Sequence, residues 1–288
     1  MPAQSRLLRA LRPHTQRACR GSFKTNGVFQ CAVRAALSKA FDFALHVAIP
    51  RPEPFFLTAT LRGICEDLIV LSFLAPLPDH NEILLAVNQT NLAEGMKRQE
   101  GFFAANRAWQ PVIAPEPGFV EQAFNRLKTV ADAHGWNRGR LPTVQFMADS
   151  SGFRPLYDFM YSATSKWVHC TPHLLLRMGW SNTATRHQLS DETEWIFSTR
   201  HFTRYYNDFN RIYGGYLLVR LVRRFLSEFD QPERVERILS RFEKANEDEL
   251  RWPELVTYEE MNHDGPGPLT RILLRAKSEI EKGEARGA

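Results

Sequence analysis

A serine, a histidine, an arginine and a glutamate stand in two stretches that are otherwise apolar. Ser162 and His169 lie seven residues apart in RPLYDFMYSATSKWVHCTP, with Lys166 between them. Seven residues are about two helical turns, so the pair shares one face. Upstream, LTATLRGICEDLIVLSFLA carries Arg62 and Glu66 at i and i+4, a spacing that projects both from one side of a helix. A carboxylate that holds one imidazole nitrogen fixes its tautomer, and a guanidinium adds a charge that does not titrate. Together they suit general acid–base chemistry or anion binding. In that reading His169 is the acid–base, Arg62 the phosphate or transition-state charge, Glu66 the orienting group and Ser162 a hydrogen-bond partner. The same four residues equally suit a structural role. A charged pair inside an apolar helix needs partners, and a closed polar network would fix how two packed helices register.

Both stretches read as helices. Leu156, Phe159, Met160, Ala163 and Trp167 recur at helical spacing, and Thr171-Pro172 ends the run, because a residue before proline avoids the α region. The stretch from Phe55 to Leu74 is apolar nearly all round, the mark of a central buried element. Around them the pattern predicts helices over Val28–Ile49, Asn81–Trp109, Phe119–His134 and Pro142–Ser150, with Gly135 as a C-cap. A capping-box-like start at Asp191-x-x-Glu194 opens a helix running to Phe229, with Gly214-Gly215 as its kink point. Further helices follow from Asp230-Gln-Pro-Glu, over Arg251–Asn262 and over Leu269–Lys282. No alternating strand pattern of useful length occurs. The expected fold is all-α, a helical bundle with additional C-terminal helices. Its divisions are a basic, flexible arm over 1–24, a helical core with the candidate site over 25–187, and C-terminal helices packed on it over 188–288.

With 288 residues, 43% hydrophobic and 24% charged, the chain has the composition of a globular protein with a sizeable core. Its four cysteines show no CxxC spacing, which disfavours a zinc knuckle or disulfide scaffold and fits a cytoplasmic setting. The apolar run LIVLSFLAPL is too short to span a bilayer, so no membrane association is expected. The charge is unevenly spread. Arg6, Arg9, Arg12, Arg17, Arg20, Lys24, Arg34 and Lys39 precede the first acid, Asp42. Such a start is a solvated basic tail, a phosphate-binding segment or a targeting peptide.

The stretch RHFTRYYNDFNRIYGGYLLVRLVRRF interleaves arginines with aromatics, as nucleic-acid grooves do. Helical spacing instead assigns Phe202, Tyr206, Phe209, Tyr213 and Leu217 to a core stripe. That leaves Arg200, Arg204 and Arg211, with Arg220, Arg223 and Arg224, as an exposed basic face; with Lys166 the first three are the candidate nucleic-acid contacts. His169-Cys170-x-x-His173 is interrupted by Thr171-Pro172 and has no second cluster to complete a tetrahedral metal site. Glu260-x-x-His263 is half of a di-iron motif without its second copy. P-loop, GxGxxG, GxSxG and HExxH motifs are absent. No cofactor and no metal is expected.

The combination resembles a family of uncharacterised, mostly bacterial all-helical proteins. The shared pattern is Arg62-x-x-x-Glu66, then LPTVQFMADSSG, then Tyr157, Tyr161, Ser162 and His169 before a proline turn, over roughly Phe55 to Trp180. The family's helical layout is similar to that of HEPN domains, many of which are ribonucleases in toxin–antitoxin and phage-defence systems. That resemblance implies an effector acting on RNA or nucleotides, with RNA, a nucleotide, a protein partner or a second copy as partner. It also marks a departure. HEPN ribonucleases carry Arg-x4-6-His on a late helix, whereas the one such spacing near a terminus, Arg9 to His14, contains Pro13. His169 has no arginine at that distance upstream, so Arg62 would supply the charge from another helix. The alternative is a non-catalytic helical interaction or regulatory module.

Overall fold

The structure is a computed structural model that describes residues 3–20, 27–112, 115–136, 139–168, 179–181, 195–249 and 251–255. Nine α-helices follow one another among these residues: α1 (Ala3–Thr15), α2 (Val28–Val47), α3 (Thr58–Leu74), α4 (His80–Asn106), α5 (Phe119–Ala133), α6 (Val144–Ser150), α7 (Arg154–Val168), α8 (Thr203–Arg224) and α9 (Pro232–Glu247). The fold is all-α. Two three-residue strands, β1 (Gly179–Ser181) and β2 (Trp195–Phe197), form a small antiparallel ribbon in which Trp180 faces Ile196. The ribbon corrects one expectation. The chain is extended at Trp195–Phe197, and α8 begins only at Thr203, after Phe202 in the left-handed region at φ 60°. Residues 251–255 are likewise not helical, and the rest of the two expected C-terminal helices, over 256–288, lies outside the described residues.

α2, α3 and α8 form the centre. Leu37, Phe41, Leu61, Leu68, Leu217 and Leu221 are all within 1% of complete burial and belong to one continuous core. Each of these helices presents an apolar stripe broad enough to be covered on two sides. α8 buries Tyr206, Phe209, Tyr213 and Leu217 as its spacing predicts. The helix is continuous through Gly214 and Gly215, and the missing side chains make room for its neighbours: a Cβ at 214 would lie 2.8 Å from Phe43 Cε1 of α2, and one at 215 would lie 2.6 Å from Phe242 Cε1 of α9. Polar links tie the same centre together. Thr58 donates to Asn210 at 2.9 Å, and Asn210 donates to the Pro54 carbonyl at 2.8 Å.

α4 and α5 form a hairpin beside this centre. Arg126 of α5 reaches Glu82 of α4 at 2.6 Å and Gln89 at 2.9 Å. His134 holds Asp79 at 2.8 Å. Gly135, at φ 65°, closes α5 as its sequence position predicts. With 27 residues against 15, α4 outruns its partner, and Leu92 and Phe102 are exposed along the overhang.

Residues 3–20, expected as part of a flexible arm, are helical and packed. Leu8 and Leu11 are at most 2% exposed, and His14, Thr15 and Ala18 are buried with them. The physical reason lies in the spacing. Arg6, Arg9 and Arg12 fall on the solvent side, while Leu8 and Leu11 fall together on the other. α1 lies against α9 and α2. Buried Gln4 donates to Asn246 of α9 and accepts from Arg211 of α8.

Candidate functional site

α3 and α7 lie side by side. Met160 and Ala163 of α7 enter the main core with Ile64, Cys65 and Leu68 of α3. This contact sets the outer edge of each helix facing the other. α7 starts firmly, because Arg154 clamps Asp158 at 2.8 Å and Asp149 at 3.0 Å. α6 ahead of it is capped by the Thr143 hydroxyl, which accepts from the Phe146 amide at 3.2 Å.

Along the open edge of the α3–α7 contact runs a shallow surface groove lined by Arg62, Cys65, Glu66, Tyr157, Met160 and Tyr161. Arg62 Nε donates to Glu66 Oε1 at 2.8 Å, and the guanidinium carbon lies 4.9 Å from the centroid of the Tyr161 ring. That ring is 5.4 Å from the ring of Tyr157, tilted by 32°. A guanidinium with a carboxylate at its root and an aromatic face beneath it is fixed in orientation by both. Nη1 and Nη2 make no hydrogen bond among the described residues. The Glu66 hydrogen bond holds the Arg62 guanidinium's pKa above its ordinary value, so its charge is constant through the physiological range. Burial pushes the Tyr157 phenol up, and its neighbour Tyr161 adds to this, so Tyr157 enters the cleft as a neutral donor. Burial also pushes the Cys65 thiol up to about 12, with the Glu66 carboxylate acting in the same direction.

The structure therefore brings Arg62 and Glu66 together, with roughly a third or less of each side chain exposed (27% and 33%). The pair is not sealed in the core, as its apolar surroundings suggest. It occupies the edge of α3, while Leu61, Ile64, Cys65 and Leu68 take the buried side. Ser162 is exposed on α7 and is not among the cleft-lining residues. Lys166 belongs to the last turn of α7, with its side chain outside the described residues, and His169 lies outside them entirely. So do the His169-Cys170-x-x-His173 and Glu260-x-x-His263 motifs. Among the described residues no three metal-ligating side chains gather, and no helix is long and apolar enough to cross a membrane. Cys65 is the cleft residue that the polar spacing alone does not flag. Its place three after Arg62 and beside Glu66 carried the signal.

The basic face expected on α8 takes a different form. Arg200 pairs with Glu53 at 2.9 Å, and Arg204 is 98% exposed with Asp208 4.0 Å away. Arg211, expected at the surface, is only 18% exposed and lies between Asp208, Glu249 and Gln4. Arg223 is held between Glu236 and Glu243 of α9. Arg211 and Arg223 thus meet acids within the fold, while Arg204, Arg220 and Arg224 stay exposed as expected, Arg220 over the Tyr216 ring at 5.1 Å and Arg224 donating to the Ser72 carbonyl at 3.3 Å.

Two comparisons find no relative: no curated protein and no solved structure matches the chain. Over residues 57–185, the span that contains α3, α7 and the cleft between them, the chain is similar to DUF5677, a family of unknown function.

Proposed function

We propose that the chain acts on RNA or a nucleotide through the α3–α7 cleft, as a HEPN-like helical effector of the toxin–antitoxin or phage-defence kind. The observation that supports this most is Arg62. Its Nε is occupied by Glu66 and its plane rests on Tyr161, while its two terminal nitrogens have no partner among the described residues. A fork of oriented donors is what phosphate recognition uses, and the neighbouring rings of Tyr157 and Tyr161 offer faces on which a base stacks. In this reading Arg62 carries the phosphate charge, Glu66 is the orienting group, Ser162 is a hydrogen-bond partner and His169 is the general acid–base. No metal is required.

The rival reading, a non-catalytic interaction module, draws on the same pair. Arg62 and Glu66 satisfy each other at i and i+4 on one helix, as many purely structural pairs do.

Cleavage of a labelled RNA in EDTA, nucleotide binding by calorimetry and Tm, measured on wild type, His169→Ala and Arg62→Ala, separate the two. The proposal expects His169→Ala to abolish cleavage at unchanged Tm. It expects Arg62→Ala to weaken binding about tenfold or more, which is ~1.4 kcal/mol. A wild-type protein inert toward both ligands, with His169→Ala losing stability, would establish the structural role.

A further inference from the structure

A group of arginines with no acidic partner among the described residues lies away from the cleft, where α1 and α9 pack together; Arg234 alone of them donates within its own helix start, to Gln231 at 3.4 Å. Along α9, Arg234, Arg237, Arg241 and Lys244 follow one another at intervals of three, four and three residues and are all exposed. That spacing keeps them on one side of the helix over about 15 Å. The acids in the middle of α9 are turned elsewhere: Glu236 and Glu243 clamp Arg223 of α8. Glu233 in the first turn and Glu247 in the last bracket the cationic stripe. The opposite side of α9, with Val235, Leu239 and Phe242, is buried.

α1 adds a second row. Arg6, Arg9 and Arg12 are exposed and make no hydrogen bond or ion pair among the described residues. The two helices run antiparallel. Gln4 bonds Asn246 near one end, and near the other Arg17 lies 3.7 Å from Asp230, with Arg234 close enough to act on His14. Both rows are carried on packed helices, so neither must be ordered on binding.

We propose that the outer surface of α1 and α9 is a docking platform for the phosphodiester backbone of a double-stranded nucleic acid. The charge row matches its ligand in scale: one strand of a B-form duplex carries a phosphate every ~3.4 Å of axis, so the length of the α9 row spans about four of them. Arginine dominates both rows, and its planar fork engages phosphate better than a point charge does. The platform lacks what other polyanion ligands would need. No exposed aromatic side chain stands on either helix, so it has no surface for stacking unpaired bases. The leucines of α1 that would anchor it in a lipid headgroup layer are turned into the protein's own core. The platform is independent of the Arg62 cleft and uses none of its residues.

Fluorescence anisotropy on the full chain tests this, with labelled RNA and DNA duplexes of about 16 base pairs, the matching single strand, and phosphatidylserine vesicles as a separate arm. The expected result is sequence-independent duplex binding whose log K falls linearly with log salt. Arg237→Glu/Arg241→Glu should weaken it at least tenfold and reduce the salt slope by about two, with Tm unchanged because neither side chain touches the fold. Arg9→Glu should weaken it in the same direction from the other helix. Lys97→Glu, an exposed charge reversal on α4 outside both the platform and the cleft, should leave duplex binding intact; duplex binding reads the platform, while cleavage and nucleotide binding read the cleft, so the two fail separately. Whether RNA or DNA binds tighter identifies the source of the backbone. Duplex binding unaffected by the double variant, tighter binding of the single strand, or binding to vesicles alone would each overturn the proposal.

Discussion

Cys65 lines the cleft beside Glu66, yet its surroundings remove its chemistry. The side chain is 2% exposed, and with a pKa near 12 it stays a thiol at neutral pH. Reactivity requires the thiolate and access together. Cys31 is exposed on α2. Brief alkylation of the native protein at pH 7.5, read by peptide mass spectrometry, should modify Cys31 and spare Cys65 until the chain is denatured. Prompt modification of Cys65 would mean that the α3–α7 contact opens in solution. His14 makes the complementary case. It is buried, its Nδ1 lies 3.1 Å from Arg17 Nη2, and Arg17 and Arg234 add to the burial that holds its pKa below the usual 6.5. Asp230 opposes them without prevailing. A depressed folded-state pKa places the stabilising contribution above the unfolded value, to be lost as pH falls through the folded value. Thermal melts between pH 7.5 and 5 should therefore show Tm falling below about pH 6.5. In His14→Gln that part of the slope should disappear.

Helix α8 shows the same logic one level up. In an open helix, replacing glycine by alanine gains up to ~1 kcal/mol. At Gly215 the added methyl group would meet the Phe242 ring, and overfilling a packed contact costs ~1–3 kcal/mol. Gly215→Ala should lower Tm by roughly 2–10 °C. Gly101→Ala on the overhang of α4, where nothing lies within 4 Å, should raise it slightly. The Gly214-Gly215 pair makes room for two close neighbours, a role its sequence alone did not indicate. A glycine pair in a helical pattern signals either a bend or a close approach, and only the partner's position tells which. The apolar stripes of α2, α3, α7 and α8 were legible because each repeats at helical spacing over several turns. The extended segment at Trp195–Phe197 was not, since three residues carry no period and a capping signature at Asp191 pointed to a helix. In the cleft, the i and i+4 spacing put Arg62 and Glu66 together. Their placement at an open edge depended on how closely α7 lies against α3, which only the fold decides.

At the scale of the whole molecule, charge is sorted by depth. Arg211 and Arg223 of the central helix are neutralised by nearby acids, while Arg204, Arg220 and Arg224 and the arginines of α1 and α9 remain at the surface. Sequence alone placed Arg211 and Arg223 on an exposed face because it counted arginines without knowing which acids would reach them. The same limit applied to the start of the chain. The dense arginines suggested a loose tail, while the leucines between them made α1 part of the core. Through the Gln4–Asn246 contact, residues 242 positions apart depend on each other. That separation has a meaning during synthesis. At ~5–20 residues per second, α1 waits roughly 10–50 s for α9 to emerge from the ribosome. For that interval its leucines have only part of their final surface, the part α2 supplies. A helix that meets a partner made 242 residues later is thus among the last to be fully seated.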